Sequence, residues 1–368
     1  MKYTIRKTLE NYTIKTYLSD SKPPEDAIDC SLGINPFGFT PTITKEIYAD
    51  TYDGISNYPG YPYPQLKKAI CAYLAPEATI EPEQVYLNNG SMAMLINLNR
   101  LLLNPGDKVL CVAPTFTSAV SDMVAMGAEI ESIPLEENQQ FQISMDAIVH
   151  ALNPSHAIIY LDNPNNPTGQ VIPLSELERL AKIAEENNTL LIVDEAYGDF
   201  MERSNSAAVL TQDHSNVIVV KTLSKGLGLA GLRTGYAVVP KAFVPYMDKL
   251  PAEMALTETA ARLAPYALKD KGFLEMSKNK VAENKDRLLK SLKVLKASKT
   301  DNTVPIVLLY TEKDIHLYEL LLKHGIIAEN GEDFNGIGKR HVRLRVPATI
   351  DDLLKRMESV EGALSANG

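Results

Sequence analysis

The chain predicts an α/β fold, a mainly parallel sheet sandwiched by helices, followed by a smaller α+β domain. Three observations carry that expectation. From about residue 45 to 250, apolar runs of strand length alternate with stretches of helical periodicity, a pattern that lays helices over a parallel sheet. Several of those runs end on a polar or charged residue at a turn, and an open α/β sheet collects its ligands at such strand ends. After Pro251 the pattern changes to long helices with two later strand-like pieces. At 368 residues the chain also exceeds the usual size of a single core. The expected boundaries are 1–44 for an N-terminal arm that folds back onto the small domain, 45–250 for the large domain and 251–368 for the small C-terminal domain.

In order along the chain, Pro23-Pro24 ends a polar arm, and Asn35-Pro36-Phe37-Gly38 makes a turn. Gln84-Val85-Tyr86-Leu87 reads as a strand that leads through Asn88-Asn89-Gly90-Ser91-Met92 into an apolar helix. Small residues at that helix start leave N–H groups free for a phosphate. Val109 to Val112 is the next strand, and Ala157 to Leu161 another, running into Asp162-Asn163-Pro164-Asn165-Asn166-Pro167-Thr168-Gly169. Asn, Pro and Gly are turn residues, and an Asn fixed between prolines can also aim its amide at a ligand. Leu174 to Asn187 reads as a helix, with Leu174, Leu177, Leu180, Ala181 and Ala184 at helical spacing and Ser175 or Asn188 near its ends. The strand Leu190 to Val193 ends in Asp194-Glu195-Ala196-Tyr197, and Val217 to Val220 leads into Ser224-Lys225-Gly226-Leu227-Gly228-Leu229-Ala230-Gly231-Leu232-Arg233. Beyond Pro251, a helix from Met276 to Leu295 precedes strands at Val304 to Tyr310 and His341 to Val346.

Composition narrows the function classes. Hydrophobic content of 45% and charged content of 23% are those of an ordinary globular protein. A net charge of −9, with no basic block, argues against nucleic acid or an anionic membrane as the main partner. No apolar run reaches the ~18 residues of a membrane span, and the N-terminus lacks an apolar signal core. Cys30, Cys71 and Cys111 show no metal spacing and fit a reducing cytoplasm better than a disulfide framework.

Lys225 is the chemical focus. A lysine after a buried strand, with an arginine eight positions on, is either a solvated strand-end residue or an amine whose charge burial and neighbouring cations suppress. A neutral amine can form a Schiff base with a carbonyl cofactor, pyridoxal phosphate (PLP) above all. Asp194 is either a helix N-cap or a carboxylate that pairs with a protonated pyridine nitrogen. Gly226-x-Gly228-x-x-Gly231, with Asp248 beyond, formally matches the dinucleotide fingerprint of a nicotinamide-dependent dehydrogenase. Against it, a lysine precedes the match and no strand ends at Asp248.

With Asn-Pro-Asn-Asn-Pro-Thr-Gly, Asp-Glu-Ala-Tyr and Thr-Leu-Ser-Lys with Gly-Leu-Ala-Gly-Leu-Arg in this order, the chain resembles the fold-type I PLP-dependent aminotransferases, and among them the histidinol-phosphate aminotransferase group. The likeness runs from about Leu32 to about Thr349. It implies that 45–250 is the PLP-binding domain and that Lys225 carries the cofactor and moves the substrate proton. It implies further that Asp194 holds the pyridine nitrogen, that Tyr197 and Asn166 bond the ring oxygen, and that Phe116 stacks on the ring. Gly90, Ser91, Thr222, Ser224 and Arg233 would bind the phosphate, joined by Tyr58 from the neighbouring subunit of a homodimer with shared sites. An amino donor and a 2-oxo acid acceptor are the implied substrates.

The substrate end is less determined. Arg343 and Arg345 share one face of a strand, which is either a solvated edge or an anion site. The aminotransferase pattern favours Arg343 for the substrate carboxylate, with Arg345 for a second anion. A related decarboxylase group favours Arg345. Asn35 stands in Gly33-Ile34-Asn35-Pro36, where the histidinol-phosphate group usually carries Asn-Glu-Asn-Pro. That segment and Asp29-Cys30-Ser31 look more like threonine-phosphate decarboxylases, so decarboxylation is the alternative to amino transfer.

Overall fold

The computed structural model describes residues 6–10, 12, 26–75, 77–250 and 254–366; Pro23, Pro24 and Pro251 to Glu253 lie outside the described residues. The strands in chain order are β1 (Ile28–Asp29), β2 (Val85–Asn88), β3 (Lys108–Ala113), β4 (Glu129–Pro134), β5 (His156–Asp162), β6 (Leu190–Glu195) and β7 (Val217–Thr222). They continue with β8 (Gly235–Val238), β9 (Lys296–Ala297), β10 (Ile306–Tyr310), β11 (Ile326–Ile327), β12 (Glu329–Asn330) and β13 (His341–Arg345). Seven of them form one sheet in the order β2-β8-β7-β6-β5-β3-β4. β8 is antiparallel to both neighbours and the remaining pairs are parallel, so every other strand of this sheet points the same way.

Successive side chains explain why the central strands read as unbroken apolar runs. Ile158, Tyr160, Ile192, Ile218 and Val220 pack on Met94, Leu95 and Leu98 of the helix Ser91–Leu102 and on Met123 of the helix Thr117–Met126. Their alternates, Ile159, Leu161, Leu191, Val193, Val217 and Val219, face Leu177, Leu180, Ala181 and Ala184 of the helix Leu174–Glu186. With both faces covered, no polar alternation remains. Each fully buried Val, Leu or Ile contributes about 1.5–3 kcal/mol. The helix Leu174–Glu186 starts where expected, but Ser175 does not cap it: the Leu174 N–H donates to Asn205 Oδ1 at 2.8 Å, and Asn188 lies just past its end.

A second, antiparallel sheet runs β12-β13-β10-β9, and β1 pairs in parallel with β11, Ile28 opposite Ile326. Val307, Leu309, Val342 and Leu344 face Leu288 of the helix Gly272–Ser291 and Leu353, Met357 and Val360 of the helix Ile350–Ala366. The other face of the same strands looks toward the large sheet. Leu308 joins the core containing Leu110 and Leu161, and Arg343 lies directly opposite Leu308 in the ladder. β13 is buried along its whole length between β12 and β10, so the solvated-edge reading of its arginines is corrected. No helix among the described residues is long and apolar enough to cross a membrane.

The long helix runs Gly272–Ser291 rather than from Met276 to Leu295. Asp270 Oδ1 accepts from the Phe273 N–H at 3.1 Å and sets the earlier start. At the other end the apolar spacing continues, but the N–H groups of Val294 and Leu295 donate to Glu361 at 2.6 and 3.2 Å, which draws the chain out of the helix. Midway along, the fully buried Lys285 donates to Thr300 Oγ1 at 2.5 Å and reaches the carbonyls of Asp301, Val304 and Ile306 at 2.7, 2.8 and 2.8 Å. Removing the Glu361 carboxylate strands two N–H groups, so Glu361→Ala is expected to lower unfolding stability by about 1–3 kcal/mol in urea titrations. A change within a few tenths of a kcal/mol would mean that water replaces the carboxylate.

Candidate active site

Parallel strands end at a common edge, and β8, running back, begins there. This gathers one segment from each. β2 delivers Ser91, β3 Phe116, β5 Asn166, β6 Asp194 and Tyr197, β7 Thr222, Ser224 and Lys225, and the entry to β8 Arg233, all around a cavity of about 140 Å³. From the small sheet come Arg343 and Glu329, and from the N-terminal segment Leu32 and Gly33.

Lys225 is half-buried with its Nζ 5.6 Å from the centre of the Tyr197 ring. Burial, with Arg343 and Arg233 nearby, lowers its pKa to about 8, against the opposing pull of Glu329 and Asp194. Asp194 is buried, accepting from Tyr160 Oη at 3.1 Å and from the Ala196 N–H at 3.0 Å. Burial and the adjacent Asp162 push it up to about 7. The two aspartates are direct partners in the β5–β6 ladder, which is why each feels the other. Asp162, raised to about 6 chiefly by burial, accepts from Thr115 Oγ1, Asn165 Nδ2 and the Asn166 N–H at 2.6, 2.9 and 2.7 Å.

The helix Ser91–Leu102 has no side-chain cap, so its first N–H groups remain open to an anion. Gly90, at φ 90°, does not line the cavity but shapes its edge: a Cβ there would lie 2.6 Å from Arg233 Nη2. Gly235 is tighter still, since a Cβ would meet the Ser91 nitrogen at 2.2 Å. Arg233 itself sits at φ 54°, left-handed for a non-glycine residue. Thr222 Oγ1 lies 2.9 Å from Ser224 Oγ.

Besides Gly90, three expected residues do not line the cavity. Asn35 is buried, its amide spent on the Gly226 carbonyl at 2.8 Å and Ser277 Oγ at 3.1 Å. Arg345 donates through Nη2 to the Asp29 carbonyl at the end of β1 and does not line the cavity. Tyr58 is 82% exposed and does not line the cavity of its own chain. Arg343, by contrast, donates to Asn166 Oδ1 at 3.0 Å, to the Ser31 carbonyl and to Glu329 Oε1. The dehydrogenase fingerprint fails on geometry: Ala230–Leu232 is one 3-10 turn, and β8 then returns antiparallel to β7, so no helix opens and no βαβ unit exists here.

The family model described as aminotransferase class I and II matches residues 25–357. The chain belongs to that family. Among curated relatives, the histidinol-phosphate aminotransferase of Methanocaldococcus jannaschii is 28% identical over 346 residues, covering 93% of this chain and 90% of the relative. That of Natronomonas pharaonis is 35% identical over 252 residues, 68% of this chain and 69% of the relative. A Thermus thermophilus aspartate aminotransferase mutant superposes with a TM-score of 0.82 at 24% identity, covering 97% and 99% of the two chains. The Sinorhizobium meliloti histidinol-phosphate aminotransferase solved with pyridoxal-5'-phosphate gives 0.79 at 22% identity, covering 91% of each.

As an aminotransferase the chain uses PLP, and its own residues fit that group. Asp194 is a buried carboxylate with no lysine or arginine paired to it among the described residues, and a pyridinium supplies the missing cation. Gly90 and Gly235 let the Arg233 guanidinium and the Ser91 N–H approach each other closely, a cation and a helix-start donor that together suit a phosphate. Asn166 Nδ2 donates to no protein group among the described residues and is open to a ring oxygen.

Sequence reasoning missed Glu329, Asp162 and Gly33. Glu329 stands in a two-residue strand with no periodic signal, and only the β12–β13 register sets it opposite Arg343. Asp162 was legible in principle, as a second acid at a strand end one strand from Asp194. Gly33 is required because a Cβ would overlap Tyr197 Oη at 1.6 Å.

The amine of Lys225 acts as a nucleophile only when neutral. Competitive acetylation of Lys225 in the PLP-free protein is therefore expected to rise with pH and reach half its plateau near 8, not near the 10.5 of an ordinary lysine. A midpoint close to the ordinary value would mean that the cavity leaves the amine solvated.

Proposed function

We propose that this aminotransferase moves an amino group from an α-amino acid or amino-phosphate donor to a 2-oxo acid, with Lys225 as the proton carrier. The observation that carries the reading is a lysine whose pKa is lowered to about 8, so that part of its amine is free near physiological pH, at the same strand edge as a buried, cation-free aspartate. PLP, when bound, supplies the electron sink that stabilises charge on the donor α-carbon. Lys225 Nζ takes the α-proton as a base and returns it as an acid. Asp194, ionised opposite a pyridinium, keeps that nitrogen protonated. Tyr197 and Asn166 would donate to the ring oxygen, Phe116 would cover the ring, and Ser91, Thr222, Ser224 and Arg233, with the backbone of Gly90, would hold the phosphate. Arg343 grips the carboxylate shared by amino-acid donor and oxo-acid acceptor, and Arg345 takes no part.

The exposed Tyr58 supports a homodimer in which this tyrosine completes the partner's phosphate site. Free thiols at Cys30, Cys71 and Cys111 support a reducing cytoplasm as the setting. The names of the curated relatives put histidinol phosphate on the donor panel beside common amino acids.

The deciding experiment incubates the PLP-loaded enzyme with that panel and scores conversion to the pyridoxamine form against CO2 release. Amine formation without CO2 supports amino transfer; CO2 release from a productive donor would establish a decarboxylase. Lys225→Ala and Asp194→Asn are each expected to slow the half-reaction on the order of 10³-fold or more while retaining the fold. Either variant staying within about tenfold of wild type would remove that residue from the chemistry. Arg343→Ala should raise KM for carboxylate donors by roughly 30-fold or more, and Arg345→Ala by about threefold at most. The reverse order would move the carboxylate to Arg345.

A further inference from the structure

Glu329 is the cavity group that the amino-transfer chemistry leaves without a task. Its side chain is buried at 2% exposure, Oε1 accepts from Arg343, and Oε2 is enclosed without any hydrogen-bond partner. A buried acceptor left unpaired costs free energy unless a ligand donates to it. The register Glu329 opposite Arg343 holds the carboxylate on the same face as the guanidinium, beside Lys225. Glu329 offsets the charge of Arg343 before any substrate arrives. Arg233 would hold the cofactor phosphate and Lys225 its carbonyl, which leaves Arg343 for the substrate. Arg343 already shares its charge with Glu329, and three of its five N–H donors are used within the protein, with Nε enclosed and unpartnered. Arg345, the second guanidinium on that strand face, is turned to the Asp29 carbonyl and serves no second anion.

We propose that Glu329 is the specificity-determining residue of the donor site. It selects α-amino acids whose side chain ends in a cation, a guanidinium or ammonium that donates to Oε2, and it disfavours donors with a second carboxylate or a phosphate. This rests on the reading that Arg343 grips the α-carboxylate, and the test keeps the two apart.

Binding of two analogues that lack the reacting amine, 5-guanidinopentanoate and glutarate, is measured by calorimetry on the PLP-loaded enzyme. Wild type is expected to bind the guanidino acid at least about tenfold more tightly, the size of one charge-assisted hydrogen bond. Glu329→Gln should reduce that ratio about tenfold, mainly by weakening the guanidino acid. Arg343→Ala should weaken both ligands alike, which reads the carboxylate anchor separately. Tighter binding of glutarate by wild type, which needs no variant to fold, would overturn the proposal. So would an unchanged ratio in Glu329→Gln, or histidinol phosphate outperforming arginine and lysine as donor in the half-reaction. Absence of any amine-form cofactor with every donor would instead sink the amino-transfer reading and leave the binding ratio to judge Glu329.

Discussion

The in-register parallel ladder of β5, β6 and β7 is the constraint on which the site depends. Asp162 stands beside Asp194, and Asp194 beside Val220 three residues before Leu223 and the turn that carries Lys225. A slip of one residue in any of these pairs would turn the functional side chain to the opposite face of the sheet. The two helix-covered cores therefore do more than stabilise the fold: by burying both faces completely they forbid the slip.

Dehydration sets the chemistry that this geometry makes possible. Burial is the leading cause of the raised pKa at Asp162, Asp194 and Glu329 and of the lowered pKa at Lys225. The same loss of water therefore moves acids and base toward one another near neutrality. Asp194, at about 7, is poised to lose its proton opposite a positive ring nitrogen, while Lys225, at about 8, keeps a usable fraction of free amine. Glu329, raised to about 7, belongs to the same set although it comes from the other sheet.

What could be read from the sequence follows from how local each signal is. Asp194 is visible because it directly follows the apolar run Leu190 to Val193, whereas Lys225 stands five residues past Val220 and is marked by the small residues and the arginine that follow it. β4 leaves little trace because it is an edge strand, exposed at four of its six positions and carrying two glutamates, and β8 because it is four residues long. Arg343 and Arg345 looked equivalent by strand spacing, and only the neighbouring β12 and the β1 segment separate their fates. Asn35 looked like a ligand residue but ties the N-terminal segment to the lysine turn through the Gly226 carbonyl. Long-range pairing of this kind leaves no periodic trace.

The buried ammonium of Lys285 has a wider meaning. Four oxygens converge on it, one hydroxyl and three carbonyls, much as oxygens converge on a bound alkali ion. Here the ion is tethered to a helix and cannot be exchanged or diluted away. The loop it closes packs against Gly169, where a Cβ would meet the Ile306 carbonyl at 2.4 Å, and Gly169 ends the turn that presents Asn166. The shape of the ligand-facing turn thereby needs no metal ion from solution, and because burial lowers the Lys285 pKa to about 7 the clamp answers to protons instead, weakening as pH rises through that value.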